Sequence, residues 1–102
     1  MPTRSTSRPR AKNLHDLALY FYALKDGLRL EMLSLLAGRE LTVNDLAGLL
    51  DKSQPLISWH LRRLKAAGIV KIRRSGREVY CSLDRDVLQA RQQAFLELID
   101  AA

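Results

Sequence analysis

The chain has 102 residues, of which 47% are hydrophobic and 27% charged, and its formal net charge is +6. This composition predicts one small globular domain and excludes a disordered polyelectrolyte. The longest wholly apolar run, from Leu17 to Leu24, is far shorter than the roughly 20 residues that a membrane-spanning helix requires. The single cysteine, Cys81, excludes an intrachain disulfide and an all-cysteine metal site. We therefore expect a soluble intracellular protein without a membrane partner.

The positive charge is concentrated in one segment. Between Asp51 and Glu78 all the charged residues are basic: Lys52, Arg62, Arg63, Lys65, Lys71, Arg73, Arg74 and Arg77. Segregated positive charge favours a polyanionic partner, because bound Lys and Arg release the counterions condensed on phosphates. The pattern therefore indicates nucleic-acid binding rather than a general gain in solubility.

The first predicted element is a disordered basic arm, residues 1–12, which contains several arginines and almost no apolar residues. The arm is either a solvated tail, which the composition favours, or a segment that follows DNA into a minor groove. The folded domain is predicted for residues 13–102.

A first helix is predicted from about Asn13, and a second helix spans Leu28–Ala37. The run Leu17–Leu24 is apolar on every side of the first helix, which is typical of a helix that is buried all round. In so small a domain we expect another copy of the chain to cover the side of this helix that its own chain leaves open. The residues predicted at a dimer interface are in the first and last helices: Leu14, Leu17, Ala18, Phe21, Leu88, Phe95 and Leu98.

Two short helices follow. Thr42, with Asp45 three residues later, predicts the N-cap of the first. Ser53 caps the second, Gln54–Ala67, in which Pro55 fits the first turn because its missing N–H costs nothing there. Gly68 is expected to end that helix in the left-handed conformation.

The last predicted elements are a hairpin and a helix. Alternating apolar residues predict two strands on either side of Gly76, which takes the turn position that needs a positive φ. Asp84 then caps a helix to about Ile99. The fold class is mainly α with a small β-hairpin (α+β), in the order α-α-α-α-β-β-α. Two short helices followed by a basic hairpin form a winged helix-turn-helix.

This geometry assigns DNA contacts to the polar side of the helix Gln54–Ala67 and to the hairpin. Gln54 suits adenine, Ser58 suits several base edges, and Trp59 suits a thymine methyl group or a sugar. Arginines farther along the helix suit phosphates, as do the free N–H groups at a helix start. The predicted DNA-contacting residues are Thr42, Ser53, Gln54, Pro55, Ser58, Trp59, Arg62, Arg63, Arg73, Arg74 and Arg77.

Five motifs occur in this order along the chain: ALKDGLRL at 23–30, ELTVNDLA at 40–47, SQPLISWHL at 53–61, LKAAGIV at 64–70 and RSGREVY at 74–80. Together they resemble the ArsR/SmtB family of bacterial transcriptional repressors over about residues 14–99. The resemblance implies a homodimer, paired through its first and last helices, that binds inverted repeats and leaves DNA when a ligand arrives. We accordingly expect a repressor in the prokaryotic cytoplasm, associated with the nucleoid.

The metal sites known in this family are not expected here, and no cofactor is predicted. Soft-metal sensors carry two cysteines where this chain has Thr42 and Asn44, which are not thiolate ligands. Zinc sensors use histidines in the last helix, and no histidine follows Asp84. Asp84 and Asp86 are explained better by helix capping than by a hard cation.

The remaining candidates are open. Cys81 is predicted to be a half-buried packing thiol rather than a redox switch. His60 is expected to pack or to form a local hydrogen bond, with contact to DNA as the alternative. No constellation indicates an enzyme. The rival functions are an RNA-binding and a protein-binding winged-helix module. The trigger for release is left open among a small-molecule effector, a non-standard metal site, oxidation of Cys81 and no trigger at all.

Overall fold

A computed structural model describes residues 11–101. Within that range the elements are α1 (Ala11–Leu24), α2 (Gly27–Leu36), β1 (Leu41–Thr42), α3 (Val43–Leu50), α4 (Gln54–Ala66), β2 (Val70–Ser75), β3 (Glu78–Leu83) and α5 (Arg85–Asp100). The predicted helices and hairpin are confirmed in their predicted order. None of the helices in these residues is both long and apolar enough to cross a membrane.

The structure corrects one prediction and adds one element. Helix α1 begins at Ala11, so the last two positions of the predicted arm are helical, while residues 1–10 are outside the described residues. Strand β1 was not predicted. It pairs antiparallel with β3, which places Leu41 opposite Cys81 and gives a three-stranded sheet in the order β1-β3-β2. Two residues are too few to show an alternating pattern, so this strand depends on its partner.

Local sequence signals set the helix ends. The Thr42 hydroxyl accepts a hydrogen bond from the backbone N–H of Asp45, and the Asp45 carboxylate accepts one from the backbone N–H of Thr42. Ser53 and Asp84 accept equivalent bonds at the starts of α4 and α5. Each cap satisfies a donor that the first turn leaves unpaired. After α4, Gly68 adopts a φ of +77°, as predicted for a left-handed helix end.

The core lies beneath one side of α4. Ile57, Leu61 and Leu64 follow one another at helical spacing and are buried together with side chains from α2, α3 and β3. Gly76, with a φ of +59°, turns β2 into β3 at the far end of the hairpin. Because the apolar stripe faces the core, the polar residues of α4 are left on the outer side, beside the hairpin.

Candidate nucleic-acid interface

The outer side of α4 carries a stripe of polar and cationic residues. Gln54, Ser58, Arg62 and Lys65 recur at spacings of three or four, so they share one side of the helix. Gln54, Arg62 and Lys65 are exposed and Ser58 is half-buried. Arg62 and Lys65 stand farther along the helix than Gln54 and Ser58. The stripe therefore presents hydrogen-bonding groups near the helix start and positive charge toward its end.

A groove separates this stripe from the hairpin. Its polar lining consists of Gln54, Ser58, Arg62 and Lys65 from α4 and Arg74 from β2, and its apolar lining consists of Val43, Leu61, Ile72 and Val79. The segment from Lys52 to Arg77, which supplies most of this lining, contains no carboxylate. The groove is therefore a concave and strongly positive surface, which suits a polyanion.

Trp59 and Arg63 form a second feature, on the neighbouring side of α4. The guanidinium carbon of Arg63 lies 3.6 Å from the centroid of the Trp59 ring, in a cation–π stack. Arg63 Nη1 also donates to the backbone carbonyl of Trp59. Trp59 is 39% exposed. This stacked pair, the Trp59–Arg63 pair, holds a large aromatic surface at the protein's exterior next to the groove.

The hairpin separates two adjacent arginines onto opposite faces. Successive side chains of a strand alternate between faces, so Arg74 shares the groove side with Ile72 while Arg73 points away. Arg73 Nη2 lies 2.7 Å from Glu40 Oε1, and its guanidinium carbon lies 4.5 Å from the Tyr80 ring centroid. The hydrogen bond from Arg73 lowers the pKa of Glu40. Arg73 is thus partly neutralised on the far face, whereas Arg74 faces the groove.

Thr42 occupies a position unlike that of the other predicted DNA contacts. Its side chain is 7% exposed, its hydroxyl accepts from Asp45, and its backbone N–H donates to the Asp45 carboxylate. The Asp45 carboxylate also places a negative charge at the helix start that was expected to hold a phosphate. The structure therefore gives Thr42 a capping role.

The other predicted DNA contacts are at the surface. Exposed are Ser53, Gln54, Pro55, Trp59, Arg62, Arg73, Arg74 and Arg77, and half-buried are Ser58 and Arg63. Lys65 was left out of the predicted set, although its spacing from Arg62 signals a place in the same stripe. The prediction that His60 packs inside the domain agrees with its 6% exposure.

Cys81 is completely buried in β3, deeper than the half-buried thiol predicted from the sequence. Burial raises the pKa of the Cys81 thiol to about 11, with a smaller contribution from the charge of Glu40. The reactive form of cysteine is the thiolate, so this thiol is poorly disposed to act as a nucleophile. Within residues 11–101 no group of three or more histidine, cysteine, aspartate or glutamate residues is arranged to hold a metal ion.

The predicted dimer residues form a separate apolar face on α1 and α5. None of the residues of α5, Arg85–Asp100, is buried in the single chain, although the helix is rich in large apolar side chains. Phe21 and Phe95 meet edge to face, with ring centroids 4.9 Å apart, and Phe21 is 38% exposed. Leu14, Ala18 and Phe21 are exposed and Leu88, Phe95 and Leu98 are half-buried.

Leu17 differs from the other predicted dimer residues because it is only 7% exposed in the single chain. Tyr22, Leu96 and Ile99 are large and exposed in these two helices but were not predicted. The apolar run of α1 is therefore covered on one side by its own chain, and α1 and α5 share an uncovered apolar face.

Comparison with known proteins agrees with this geometry. Residues 26–71 match the arsR family of bacterial regulatory proteins. The chain is 40% identical over 93 residues to a cadmium resistance transcriptional regulatory protein CadC homolog of Staphylococcus aureus, covering 89% of this chain and 77% of that protein. It is 46% identical over 68 residues to the transcriptional repressor SmtB homolog of a Synechocystis strain, covering 67% of this chain and 52% of that protein. The aligned part thus spans about half the length of the latter relative.

A solved structure of similar shape comes from Mycobacterium bovis. It is the solution structure of the homodimeric winged helix-turn-helix DNA-binding domain of a possible ArsR-family transcriptional regulator. The identity is 30% and the TM-score is 0.75, with coverage of 92% of this chain and 86% of that one. The winged helix-turn-helix fold predicted from the sequence is confirmed by this likeness and by the order of the elements.

Proposed function

Because the chain belongs to the arsR family of bacterial regulatory proteins, we propose that it is a transcriptional repressor that binds duplex DNA as a homodimer. The observation that carries this proposal is the positive groove between α4 and the hairpin. The family is one of transcriptional regulators rather than enzymes, and we propose no catalytic role for this chain. Such a repressor acts in the bacterial cytoplasm, on the DNA of the nucleoid.

Helix α4 reads base edges in the major groove, which admits one α-helix. Gln54, at the start of the helix, contacts adenine through its amide group; its position in the groove lining, one turn before Ser58, supports this role. Pro55 and Ser53 lie at the same end. Trp59, held by Arg63, contacts a thymine methyl group or a sugar at the edge of this surface.

Phosphate contacts surround the bases that α4 reads. Arg62 and Lys65 extend from the C-terminal half of α4 and Arg74 extends from β2, so cations line both walls of the groove. Arg77 lies beside Gly76 in the exposed loop of the hairpin and reaches the adjacent minor groove. Such contacts give most of the affinity but little of the sequence preference.

The second copy of the chain covers the apolar face of α1 and α5. The 16 residues of α5, none of them buried, leave apolar side chains that a soluble monomer rarely exposes as a continuous patch. A two-fold dimer would bring two copies of α4 to successive major grooves, which suits an inverted-repeat operator. The M. bovis neighbour is a homodimer. The deep burial of Cys81 favours an effector other than oxidation of that thiol as the trigger for release.

Selection of duplexes from a random pool, followed by binding assays on Gln54→Ala, tests the proposal. We expect the wild-type protein to enrich an inverted repeat and Gln54→Ala to lose about 1–3 kcal/mol of discrimination at one position in each half-site. Lys65→Ala, in the same groove, is the matched control. It should weaken binding to selected and random duplexes alike, because phosphates are common to both.

Two outcomes would overturn this assignment. A wild-type protein that enriches no duplex is not a sequence-specific DNA-binding protein. A wild-type complex whose affinity is unchanged between roughly 50 and 200 mM salt does not depend on phosphate contacts. If Gln54→Ala and Lys65→Ala behave alike, Gln54 contacts the backbone rather than a base.

A further inference from the structure

A buried polar link joins three helices behind the DNA-facing side of α4. Arg29 in α2 is 3% exposed, and its guanidinium group forms hydrogen bonds in three directions. Nε donates to the carbonyl oxygen of Ala23 at 2.9 Å, Nη2 donates to that of Tyr22 at 3.2 Å, and Nη1 lies 3.2 Å from His60 Nδ1. The first two acceptors are in the last turn of α1, and the third belongs to α4.

The chemistry of the link fixes the state of His60. A guanidinium group only donates and does not deprotonate in proteins, so His60 Nδ1 must be the acceptor and its ring proton must be on Nε2. Because the donors of Arg29 are held in one plane, the three bonds constrain α1, α2 and α4 together. The His60 ring also meets Trp59 edge to face, with centroids 5.0 Å apart. Trp59 therefore contacts both the Arg63 guanidinium group and the His60 ring.

We propose that His60 is a positioning residue for DNA recognition: its neutral ring, anchored by Arg29 to the end of the dimerisation helix α1, sets the orientation of α4 and of Trp59. The proposal rests on the proposed DNA-binding function and assigns to that function a residue that touches no DNA. It also gives the α1 face and the α4 face a direct physical connection. A change at the dimer interface that moved the last turn of α1 would reach α4 through Arg29.

Protonation of His60 breaks this link, because an imidazolium ring has no acceptor and would place two cations against each other. Several charged groups face the ring. Asp26, the N-cap of α2, favours the protonated form of His60, whereas Arg29 from α2 and Arg63 from α4 oppose it. Tyr22 from α1 packs against Arg29 and does not change the charge at the ring. Burial has the largest effect, and the pKa of His60 is lowered from its ordinary value. The link is therefore intact at neutral pH and is lost only as the pH falls through the lowered pKa of His60.

The test compares two substitutions of His60 in the full chain. His60→Asn keeps an acceptor near the position of Nδ1 and cannot titrate, whereas His60→Leu fills the space without an acceptor. The probe is the duplex enriched from the random pool, with a random duplex of equal length alongside. Sedimentation and circular dichroism establish that each variant is folded and has the oligomeric state of the wild type.

We expect His60→Leu to bind the enriched duplex about tenfold more weakly than the wild type and the random duplex equally well. His60→Asn should be within about threefold of the wild type on both duplexes. Equal binding of the enriched duplex by all three proteins, or equal losses on both duplexes, would overturn the positioning role. If His60→Leu does not fold, His60→Asn and the pH profile below decide the question.

The pH profile supplies a readout that packing alone would not change. Between about pH 7.5 and the lowest pH at which circular dichroism shows both proteins folded, the affinity of the wild type for the enriched duplex should fall at least threefold more than that of His60→Asn. The sign follows because a proton taken up by His60 removes the acceptor for Arg29, and the lowered pKa of His60 means that the folded protein favours the unprotonated ring. Identical profiles would contradict the proposal. A wild-type protein that prefers no duplex at any pH would instead contradict the proposed function itself.

Discussion

The groove face of α4 and the apolar face of α1 and α5 illustrate two different ways to prepare a surface for a partner. The groove face keeps its cations at the surface, and no carboxylate occurs in the segment that supplies most of them. The other face exposes large apolar side chains, some of them from a helix in which no residue is fully buried in its own chain. The first surface gains affinity by neutralising a polyanion, and that affinity falls with salt. The second gains affinity by removing apolar area from water, which salt does not weaken.

The two faces also differ in how far they depend on a second copy of the chain. One α4 helix contacts a single half-site, and the affinity for a full operator comes from holding two such helices together. Damage to the apolar face should therefore reduce DNA binding more than the removal of any one contact in the groove.

The largest expected effect comes from Phe21→Glu. The substitution places a charge in the apolar face, where Phe21 is 38% exposed and meets Phe95. We expect a monomer by sedimentation at micromolar concentration and an affinity for the enriched duplex about 100-fold or more below that of the wild type. Fluorescence anisotropy with full and half operators measures the difference, and binding to a half operator should change little.

Leu49→Glu is the matched control, because Leu49 is 54% exposed in α3, away from both α1 and α5. It introduces the same charge and should leave both the dimer and DNA binding intact. Ile99→Glu is a second test of the apolar face. Ile99 is 56% exposed near the end of α5, so the substitution adds a charge to that face without touching the contact between Phe21 and Phe95. A dimeric Phe21→Glu protein with normal operator affinity would refute the assignment of this face.

A smaller effect is expected within the groove, from Arg74→Ala compared with Arg73→Ala. Arg74 lines the groove, whereas Arg73 is on the opposite face of the hairpin beside Glu40. Arg74→Ala should weaken duplex binding about five- to tenfold at roughly 0.1 M salt and reduce the salt slope by about 1 per protomer. Arg73→Ala should change both quantities by less than half as much. Equal effects from the two variants would show that DNA contacts both faces of the hairpin.

The parts of the fold that follow from the sequence are those set by contacts between near neighbours in the chain. The predicted helix starts at Thr42, Ser53 and Asp84 are correct because each cap is a contact between residues three apart, and such contacts are visible in the local sequence. The buried stripe of α4 follows from its helical spacing. The positive φ of Gly76 was likewise predictable, since a two-residue hairpin loop needs it.

The features that the sequence did not reveal are contacts between distant residues. Arg73 and Glu40 are 33 residues apart in the chain, and Arg29 and His60 are 31 apart. Whether an arginine is open to solvent or already paired depends on which element packs beside it, and neither composition nor periodicity contains that information. The charge of the basic segment therefore predicted a positive surface as a whole without distinguishing Arg73 from Arg74.

The smallest expected effect on DNA binding is at Thr42, which was predicted to help hold a phosphate but is buried in the structure as a cap. Thr42→Ala removes the hydroxyl that accepts from the N–H of Asp45 and should cost about 1 kcal/mol of unfolding free energy. For a domain of this size at fixed protein concentration, the midpoint of thermal unfolding should fall by roughly 4–8 °C.

The affinity of folded Thr42→Ala for duplex DNA should stay within about twofold of the wild type, because a buried cap contributes stability rather than a DNA contact. Thr42→Ser retains the hydroxyl and should restore most of the stability. Anisotropy well below the unfolding transition separates the two roles, since only the folded protein is then present. A Thr42→Ala protein of normal stability but weakened duplex binding would return this helix start to the DNA surface and would extend that surface beyond α4 and the hairpin.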